Sequence, residues 1–322
     1  MNHDSASLEK DLNAFKDITA KRLARFASAS DTAVEAESGV NILAAELHPD
    51  RQELTVNGIF EQTDGSYTVF LSGKTAFFRP GQYVNVLCGD NLYPLFLSGS
   101  PEEALNGRYE LTVPSDDPSF SFFSGLENGD TVVCGAPSGY FYHQPLRDGK
   151  TCAVIADYAG KGAALSMRHN GSTRVFICEN ENDFPSPDDI EADTVFICGK
   201  RDFCKKAQVL YSAFHVRVLY TDIPSLKTER VKFTCTVSAG DDNFSFDCFS
   251  DEPLIFALER NGVRTYNKCR TGDCSFCRAR LVSGNVNHIF DGDNDSRRRA
   301  DIRFGYIHPC RAFPESDIVL KY

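Results

Sequence analysis

The spacing of apolar positions changes several times along the chain. Between residues 5 and 27, apolar positions recur at the spacing of an α-helix. The side chains that share one face are Leu8, Leu12, Phe15, Leu23 and Phe26. This pattern predicts an amphipathic helix, packed either on the protein's own body or on a partner. Residues 27 to 38 are rich in Ala, Ser, Asp and Glu and predict a linker.

From about residue 48 to 146, short runs of alternating polarity are separated by turn residues. The runs are Glu53 to Val56, Tyr67 to Leu71, Tyr83 to Leu87, Tyr109 to Val113 and Thr131 to Cys134. Such alternation predicts an antiparallel β-barrel or sandwich, with one face of each strand buried.

After residue 148, strand-like and helix-like runs alternate, which predicts a small α/β unit with a parallel sheet. The strand-like runs are Cys152 to Ala156, Val175 to Cys178, Thr194 to Cys198 and Val216 to Tyr220, and the helix-like runs are Ala163 to His169 and Phe203 to Phe214. About 15 residues separate the second strand from the third, which is too few for a helix and a further strand. A third unit begins with Val231 to Val237, Phe244 to Phe249 and a helix at Pro253 to Asn261. We therefore predict a multidomain α+β chain divided into residues 1–47, 48–147, 148–228 and 229–322.

Composition narrows the possible functions. A net charge of -11 argues against nucleic-acid binding, which needs a basic surface. No apolar stretch approaches the roughly 20 residues of a membrane span, and charges run through the first residues where a signal peptide would be apolar. We therefore expect a soluble, cytoplasmic protein. In that setting the twelve cysteines predict thiols or metal ligands and not disulfides.

Four cysteines stand out by their spacing. Cys269, Cys274 and Cys277 follow a C-x4-C-x2-C pattern, and Cys310 comes 33 residues later. This spacing is typical of plant-type [2Fe-2S] clusters, which need four thiolates. Gly272 would let the backbone come close to the sulfur atoms. The alternatives are a structural zinc site and inert buried thiols.

The remaining cysteines lie mostly in apolar, strand-like runs and predict small core residues. They are Cys88, Cys134, Cys152, Cys178, Cys198, Cys204, Cys235 and Cys248. His308, beside Cys310, is interpreted as a packing residue. No arrangement of His, Ser and carboxylate side chains indicates a hydrolytic site, and no catalytic residue is predicted.

Two segments carry a family resemblance. Residues 229 to 322 resemble a plant-type ferredoxin domain of the β-grasp fold, through Pro253-Leu-Ile-Phe-Ala-Leu and the run that starts at His308-Pro-Cys310. Upstream, Phe78-Arg-Pro-Gly-Gln-Tyr83 and Gly135-Ala-Pro-Ser-Gly-Tyr-Phe141 resemble the ferredoxin-reductase superfamily. The whole layout is similar to the phthalate dioxygenase reductase type. The resemblance implies that NAD(P)H reduces FAD or FMN, which passes single electrons to the cluster.

Several positions depart from that family. Its flavin signature Arg-x-Tyr-Ser aligns with Tyr93, Leu95 and Phe96, which supply neither a phosphate-binding guanidinium nor a stacking tyrosine. Pro118-Ser-Phe-Ser121 keeps one serine of the expected phosphate-side motif. These departures argue against flavin, although a differently placed one stays an alternative.

The glycine-rich turn of the nucleotide site is also changed. Asp157 and Tyr158 would repel and obstruct a pyrophosphate, whereas Lys161 would compensate in part. Lys200 replaces the proline of the family's Cys-Gly-Pro segment. The positions therefore also fit a remnant of the fold without ligand, which argues against NAD(P)H.

Two functions follow from these observations. The first is an electron-transfer iron-sulfur protein on a ferredoxin-reductase-like scaffold, which passes single electrons to or from a redox partner protein. The alternative is a complete NAD(P)H-dependent flavin/[2Fe-2S] reductase that supplies an acceptor oxygenase or reductase. Basic residues near the cysteines would face an acidic partner or the protein's own acidic body, and they are Lys268, Arg270, Arg278, Arg280 and Arg311.

Overall fold

The computed structural model describes residues 48–139, 151–168, 173–227, 229–239, 242–263, 265–272, 274–289 and 295–321. The predicted N-terminal helix and linker lie outside these ranges. Within them, no helix combines the length and the apolar character that crossing a membrane requires.

Seven strands form an antiparallel sheet in the order β11-β4-β3-β6-β1-β2-β5. They are β1 (Gln52–Glu61), β2 (Tyr67–Gly73), β3 (Tyr83–Cys88), β4 (Asn91–Phe96), β5 (Arg108–Val113), β6 (Thr131–Cys134) and β11 (Leu226–Lys227). A bridge between Leu97 and Leu111 joins the end of β4 to β5, so the sheet curls into a barrel. Two short helices, α1 (Pro101–Leu105) and α2 (Phe120–Ser124), lie between its strands.

The alternation along these strands decides which side chains fill the barrel. In β1, Leu54 and Val56 are buried, whereas the alternate residues Glu53, Thr55 and Asn57 are exposed. The predicted antiparallel unit is therefore confirmed. Strand β4 was not predicted, because Pro94 argues against a central strand. The structure accommodates Pro94 because β11 pairs only with Asn91 and Leu92, so β4 has a partner on one side at the proline.

The second unit is a parallel sheet in the order β10-β9-β7-β8. Its elements are β7 (Cys152–Ala156), α3 (Lys161–Met167), β8 (Thr173–Ile177), β9 (Thr194–Gly199), α4 (Arg201–Leu210) and β10 (His215–Tyr220). Strands β7 and β9 are buried along their whole length, as expected of a sheet covered on both faces. Two single 3-10 turns, Glu181–Asp183 and Pro187–Asp189, connect β8 to β9 in place of a helix. The predicted α/β layer is confirmed, including its shortened connection.

The third unit is a five-stranded mixed sheet in the order β13-β12-β18-β14-β16, accompanied by a two-stranded ribbon β15-β17. Its elements are β12 (Lys232–Ala239), β13 (Asp242–Phe249), α5 (Leu254–Arg260), β14 (Ala279–Ser283), β15 (Val286–His288), α6 (Arg299–Arg303), β16 (Tyr306–Ile307), β17 (Ala312–Pro314) and β18 (Ile318–Lys321). Helix α5 packs its Leu254, Ala257 and Leu258 into one core with sheet residues such as Val237 and Leu320. A parallel pair β12–β18 between antiparallel neighbours, with one helix across the sheet, confirms the predicted β-grasp arrangement.

Buried contacts join the third unit to the barrel. Asp251, whose side chain is 4% exposed, receives a hydrogen bond across the junction from Arg51 Nη2 at 2.6 Å, and one within its own unit from Arg230 Nη1 at 3.1 Å. Ala136, which follows β6, packs in one apolar cluster with Ile255 and Phe256. These contacts fix the orientation of the cysteine-bearing loop relative to the barrel.

Candidate metal centre

The four spaced cysteines lie on two segments that the third unit brings together. Cys269, Cys274 and Cys277 belong to the loop between α5 and β14, and Cys310 follows β16. Their sulfur atoms form two pairs: Cys269 Sγ is 3.2 Å from Cys274 Sγ, and Cys277 Sγ is 3.3 Å from Cys310 Sγ. Two thiolates on one tetrahedral ion, with metal–sulfur bonds of about 2.3 Å, stand roughly 3.8 Å apart. Each pair therefore has nearly the spacing of two ligands on one metal.

The arrangement is two pairs and not one quartet. Across the described ranges, no three His, Cys, Asp or Glu side chains converge closely enough to hold one ion. A single structural zinc would need all four sulfurs around one centre. Two pairs on facing segments fit a binuclear cluster better, because each iron takes two protein thiolates.

The loop turns its backbone toward the sulfur atoms. The amides of Thr271 and Cys274 both lie 3.4 Å from Cys269 Sγ. Three residues have positive φ angles: Arg270 at 53°, Gly272 at 91° and Ser275 at 56°. A Cβ at Gly272 would lie 3.0 Å from Arg311 Cγ, so the loop is also tightly packed there. Glycine suits this position because it adopts a positive φ angle without strain and has no Cβ to meet Arg311.

The paired thiols favour the thiolate form of one sulfur in each pair. The hydrogen bond shared with Cys274 lowers the pKa of Cys269 to about 5, although burial opposes this effect. In the second pair, the hydrogen bond shared with Cys310 lowers the pKa of Cys277. The same shared hydrogen bonds raise the pKa of Cys274 and of Cys310, so one thiol of each pair is favoured as a thiolate, the form that binds metals.

The two pairs differ in their surroundings. We call Cys277 and Cys310 the inner pair, because they are 3% and 1% exposed and pack in one cluster with Ala136 of the barrel. We call Cys269 and Cys274 the outer pair, because Cys274 is partly exposed. The centre therefore has one side against the scaffold and one side toward solvent.

Two of the basic residues near the cysteines contact the protein's own body. Arg270 Nη2 donates to both carboxylate oxygens of Glu259 at 2.8 Å. Arg311, 4% exposed, donates from Nη1 to Tyr83 Oη at 3.0 Å, which links the segment that carries Cys310 to strand β3 of the barrel. Sequence reasoning missed Tyr83 as a partner, because 228 residues separate it from Arg311 and no local pattern connects them.

His308 is fully buried, in agreement with its predicted packing role. Burial lowers the pKa of its imidazole. The eight cysteines outside the motif are also buried free thiols, which confirms their prediction as core residues.

The positions that align with the flavin signature are occupied by packing contacts. Leu95 is 2% exposed and belongs to the barrel core. Phe96 packs its ring edgewise on Tyr83, with centroids 5.7 Å apart. A Cβ at Gly162 in α3 would lie 3.0 Å from the Phe96 carbonyl oxygen, so helix α3 rests directly on strand β4. These residues do not fit a flavin held in the manner of the family.

Ser121, the serine retained on the phosphate side, is exposed in α2. The neighbouring Ser119 is 1% exposed and donates from Oγ to Asp117 Oδ1 at 2.5 Å. Phe120, which follows it, stacks on Tyr67 with centroids 4.6 Å apart.

The turn after β7 places a carboxylate where a phosphate would bind. Asp157 accepts the amide of Lys200 at 2.7 Å and the amide of Gly160 at 2.8 Å. A Cβ at Gly199 would lie 2.5 Å from Asp157 Cγ, so the carboxylate fills the space above this glycine. Burial raises the pKa of Asp157, whereas the two amides act in the opposite direction. The amides of Gly160 and Lys200 are therefore already bound by the Asp157 carboxylate. The repulsion of a pyrophosphate by this carboxylate stays a prediction.

The expectation that Lys161 compensates this charge is wrong. Its ammonium group pairs with Asp64 of the barrel and donates to Ser66 Oγ at 3.0 Å. Lys200 similarly pairs with Asp116 at 2.8 Å, at the surface. Both lysines join the α/β unit to the barrel.

Comparison with known proteins agrees with this geometry. Residues 238–315 match the family model Fer2, described as the 2Fe-2S iron-sulfur cluster binding domain. The uncharacterized ferredoxin-like protein YfaE of Escherichia coli (strain K12) is 36% identical over 75 residues, which cover 23% of this chain and 82% of that protein. The predicted ferredoxin domain at the C-terminal end is confirmed.

A reductase is also similar to part of this chain. NADH oxidoreductase HCR of Escherichia coli (strain K12) is 27% identical over 137 residues, which cover 41% of this chain and 40% of that protein. The chain thus spans less than half the length of this relative. A solved structure of phthalate dioxygenase reductase covers 84% of this chain and 98% of its own chain, at 19% identity and a TM-score of 0.48.

The predicted reductase-like layout with a C-terminal ferredoxin domain is confirmed by the family match and the reductase relative together. The ferredoxin-like relative is matched over most of its length, and the family model matches residues 238–315, which include the four cysteines. The chain therefore belongs to the family of the 2Fe-2S iron-sulfur cluster binding domain.

Proposed function

We propose that this protein is a single-electron carrier that holds a [2Fe-2S] cluster on Cys269, Cys274, Cys277 and Cys310. One observation carries the proposal: the motif's sulfur atoms stand in two pairs, 3.2 and 3.3 Å apart, on facing segments of a ferredoxin-type unit. When bound, such a cluster accepts and returns one electron at a time. The electron would be exchanged with a redox partner protein.

The chain's own residues support this role in three ways. The amides of Thr271 and Cys274 point at Cys269 Sγ and stabilise negative charge there. The guanidinium of Arg311, buried next to Cys310 in the chain, would stabilise added negative charge on a bound cluster. Ala136 and the barrel exclude water from the inner pair. A less hydrated, hydrogen-bonded site is the means by which proteins tune such potentials.

We propose that the barrel and the α/β unit act as a scaffold and that neither feeds the cluster from a nucleotide. The support is the carboxylate of Asp157 on the amides of Gly160 and Lys200, together with Phe96 packed on Tyr83. The alternative, a complete NAD(P)H reductase, requires Asp157 to release the two amides and Phe96 to move from Tyr83, so that a nucleotide and a flavin could bind. We divide the chain for this purpose into residues 48–147, 148–228 and 229–322, preceded by residues 1–47.

We also infer a reducing, cytoplasmic setting. All twelve cysteines are free thiols, including eight buried ones outside the motif. Burial raises the pKa of thiols such as Cys134, to about 12, which makes them inert. A thiol-rich chain without disulfides is suited to a reducing compartment.

Iron and acid-labile sulfide, measured on the anaerobically purified full chain, test the proposal. We expect about two irons and two sulfides per chain. Cys277→Ala and Cys310→Ala each remove one ligand of the inner pair and should abolish the visible absorbance of the cluster. Cys248→Ala is the matched control, because Cys248 is equally buried in the same unit and lies outside the motif.

Stoichiometric zinc without sulfide in the parent chain would contradict the cluster. Equal loss of iron in the Cys248→Ala control would show that the effect of the other variants is on folding and not on ligation. A parent chain that carries stoichiometric flavin and loses its flavin colour with NADH or NADPH would favour the reductase alternative.

A further inference from the structure

Two exposed aromatic rings lie near the candidate centre, one of them on the loop that carries Cys269, Cys274 and Cys277, which we call the cluster loop. Phe276, between the second and third cysteines of the motif, is 49% exposed, and Phe304 directly after α6 is 62% exposed. Lys268 Nζ lies 3.6 Å from the centroid of the Phe276 ring, a cation–π contact at the surface. Exposed apolar rings beside charged groups are typical of protein interaction sites.

Two contacts place helix α6 against this loop. Ser296 Oγ, before the helix, donates to the carbonyl oxygen of Gly272 at 3.1 Å. Arg278 Nη1, one residue after Cys277, lies 3.2 Å from Oδ1 of the buried Asp301 within the helix. The helix therefore belongs to the same surface as the cluster loop.

This surface differs in charge from the rest of the chain. Residues 265–308 contain eight Lys or Arg against five Asp, whereas the whole chain has a net charge of -11. Arg299 and Arg303, one turn apart on α6, are exposed, and so is Arg280 on β14. We call Phe276, Arg280, Arg299, Arg303 and Phe304 the docking face.

The docking face lies on the accessible side of the centre. The inner pair is covered by Ala136 and by the Arg311–Tyr83 contact, so the barrel blocks approach from that side. Cys274 of the outer pair is partly exposed, and Phe276 follows it by two residues. Among the described residues, the docking face therefore gives a redox partner access to the centre.

We propose that the docking face binds the acidic surface of a redox partner protein; this inference rests on the proposed electron-carrier function. Charge complementarity identifies the partner's chemistry, since a positive local surface on a strongly acidic protein attracts only a partner with a negative contact surface. Once charge attraction has brought the partner close, the exposed rings supply an apolar contact with it.

Stopped-flow oxidation of the dithionite-reduced full chain tests the proposal with two haem proteins of opposite charge. The probes are cytochrome b5, which is acidic, and cytochrome c, which is basic. We expect the rate with cytochrome b5 to fall as ionic strength rises, because the encounter is attractive despite the net charge of -11. Arg280→Glu combined with Arg299→Glu should lower that rate about tenfold at low salt.

Lys205→Glu combined with Lys206→Glu is the matched control, because it makes the same charge change at exposed positions of α4, outside the docking face. We expect it to leave the cytochrome b5 rate within about twofold of the parent rate. Phe276→Ala should slow the reaction while leaving its salt dependence intact.

Three results would overturn the proposal. One is a cytochrome b5 rate that rises with ionic strength, and another is an equal effect of the two double variants. The third is a concentration-dependent dimer of the parent chain that the Arg280→Glu/Arg299→Glu variant loses, which would identify a second copy of this chain as the occupant. Visible absorbance recorded before mixing separates these outcomes from failure of the proposed function, because a chain without a cluster shows none.

Discussion

At the scale of single residues, Arg311 makes the most informative contact. It follows the cluster ligand candidate Cys310 directly, is almost fully buried and donates to Tyr83 of the barrel. A buried guanidinium needs such acceptors, because its desolvation is otherwise uncompensated. The sequence indicates a positive charge near the cysteines but does not indicate that it faces inward.

Tyr83→Phe removes the hydroxyl that accepts this hydrogen bond and keeps the ring that packs on Phe96. Because hydrogen bonds to charged groups contribute about 1.5–3 kcal/mol, we expect the free energy of unfolding to fall by that amount. The measurement is urea unfolding, monitored by the visible absorbance of the cluster. Tyr158→Phe, at a ring that is 39% exposed, is the control. Equal unfolding midpoints for both variants would show that the contact adds no stability.

At the scale of elements, the turn between β7 and α3 is held together by a side chain of its own. Asp157 accepts the backbone amide of Gly160 at 2.8 Å. The same carboxylate accepts the amide of Lys200, which follows β9. The turn therefore ties the ends of two neighbouring strands together.

Asp157→Ala would leave both amides without this acceptor in a largely buried position. We expect a loss of about 1–3 kcal/mol in the free energy of unfolding, measured by urea unfolding monitored by far-UV circular dichroism. Asp247→Ala, which removes an exposed carboxylate paired with Lys232, should cost less than about 1 kcal/mol. A variant as stable as the parent chain would show that the carboxylate does not hold the turn together.

Local pattern predicts elements well where burial is one-sided or complete. The alternation in β1 and the continuous apolar runs of β7 and β9 were sufficient to identify these strands. Strand β4 was missed because Pro94 is a poor strand residue unless its neighbour ends early, which depends on the distant β11. The cysteine spacing indicated the site. The partners of Lys161 and Arg311 are distant in sequence, so no local pattern of residues predicts them.

At the scale of the whole molecule, the units are assembled so that the candidate centre has one protected and one accessible side. Asp251 binds Arg51 and Arg230 at the junction, and Ala136 covers the inner pair. The acidic excess lies before residue 229, whereas the ferredoxin unit is balanced in charge and locally basic near its cysteines. This organisation suits a carrier that meets its partner on one defined face.

Spin-quantified electron paramagnetic resonance of the dithionite-reduced full chain tests the central claim most directly. We predict a signal from about one unpaired electron per chain, lost on reoxidation and absent from Cys277→Ala, because a reduced [2Fe-2S] cluster carries one added electron. A parent chain that contains stoichiometric metal and gives no such signal on reduction would contradict the account.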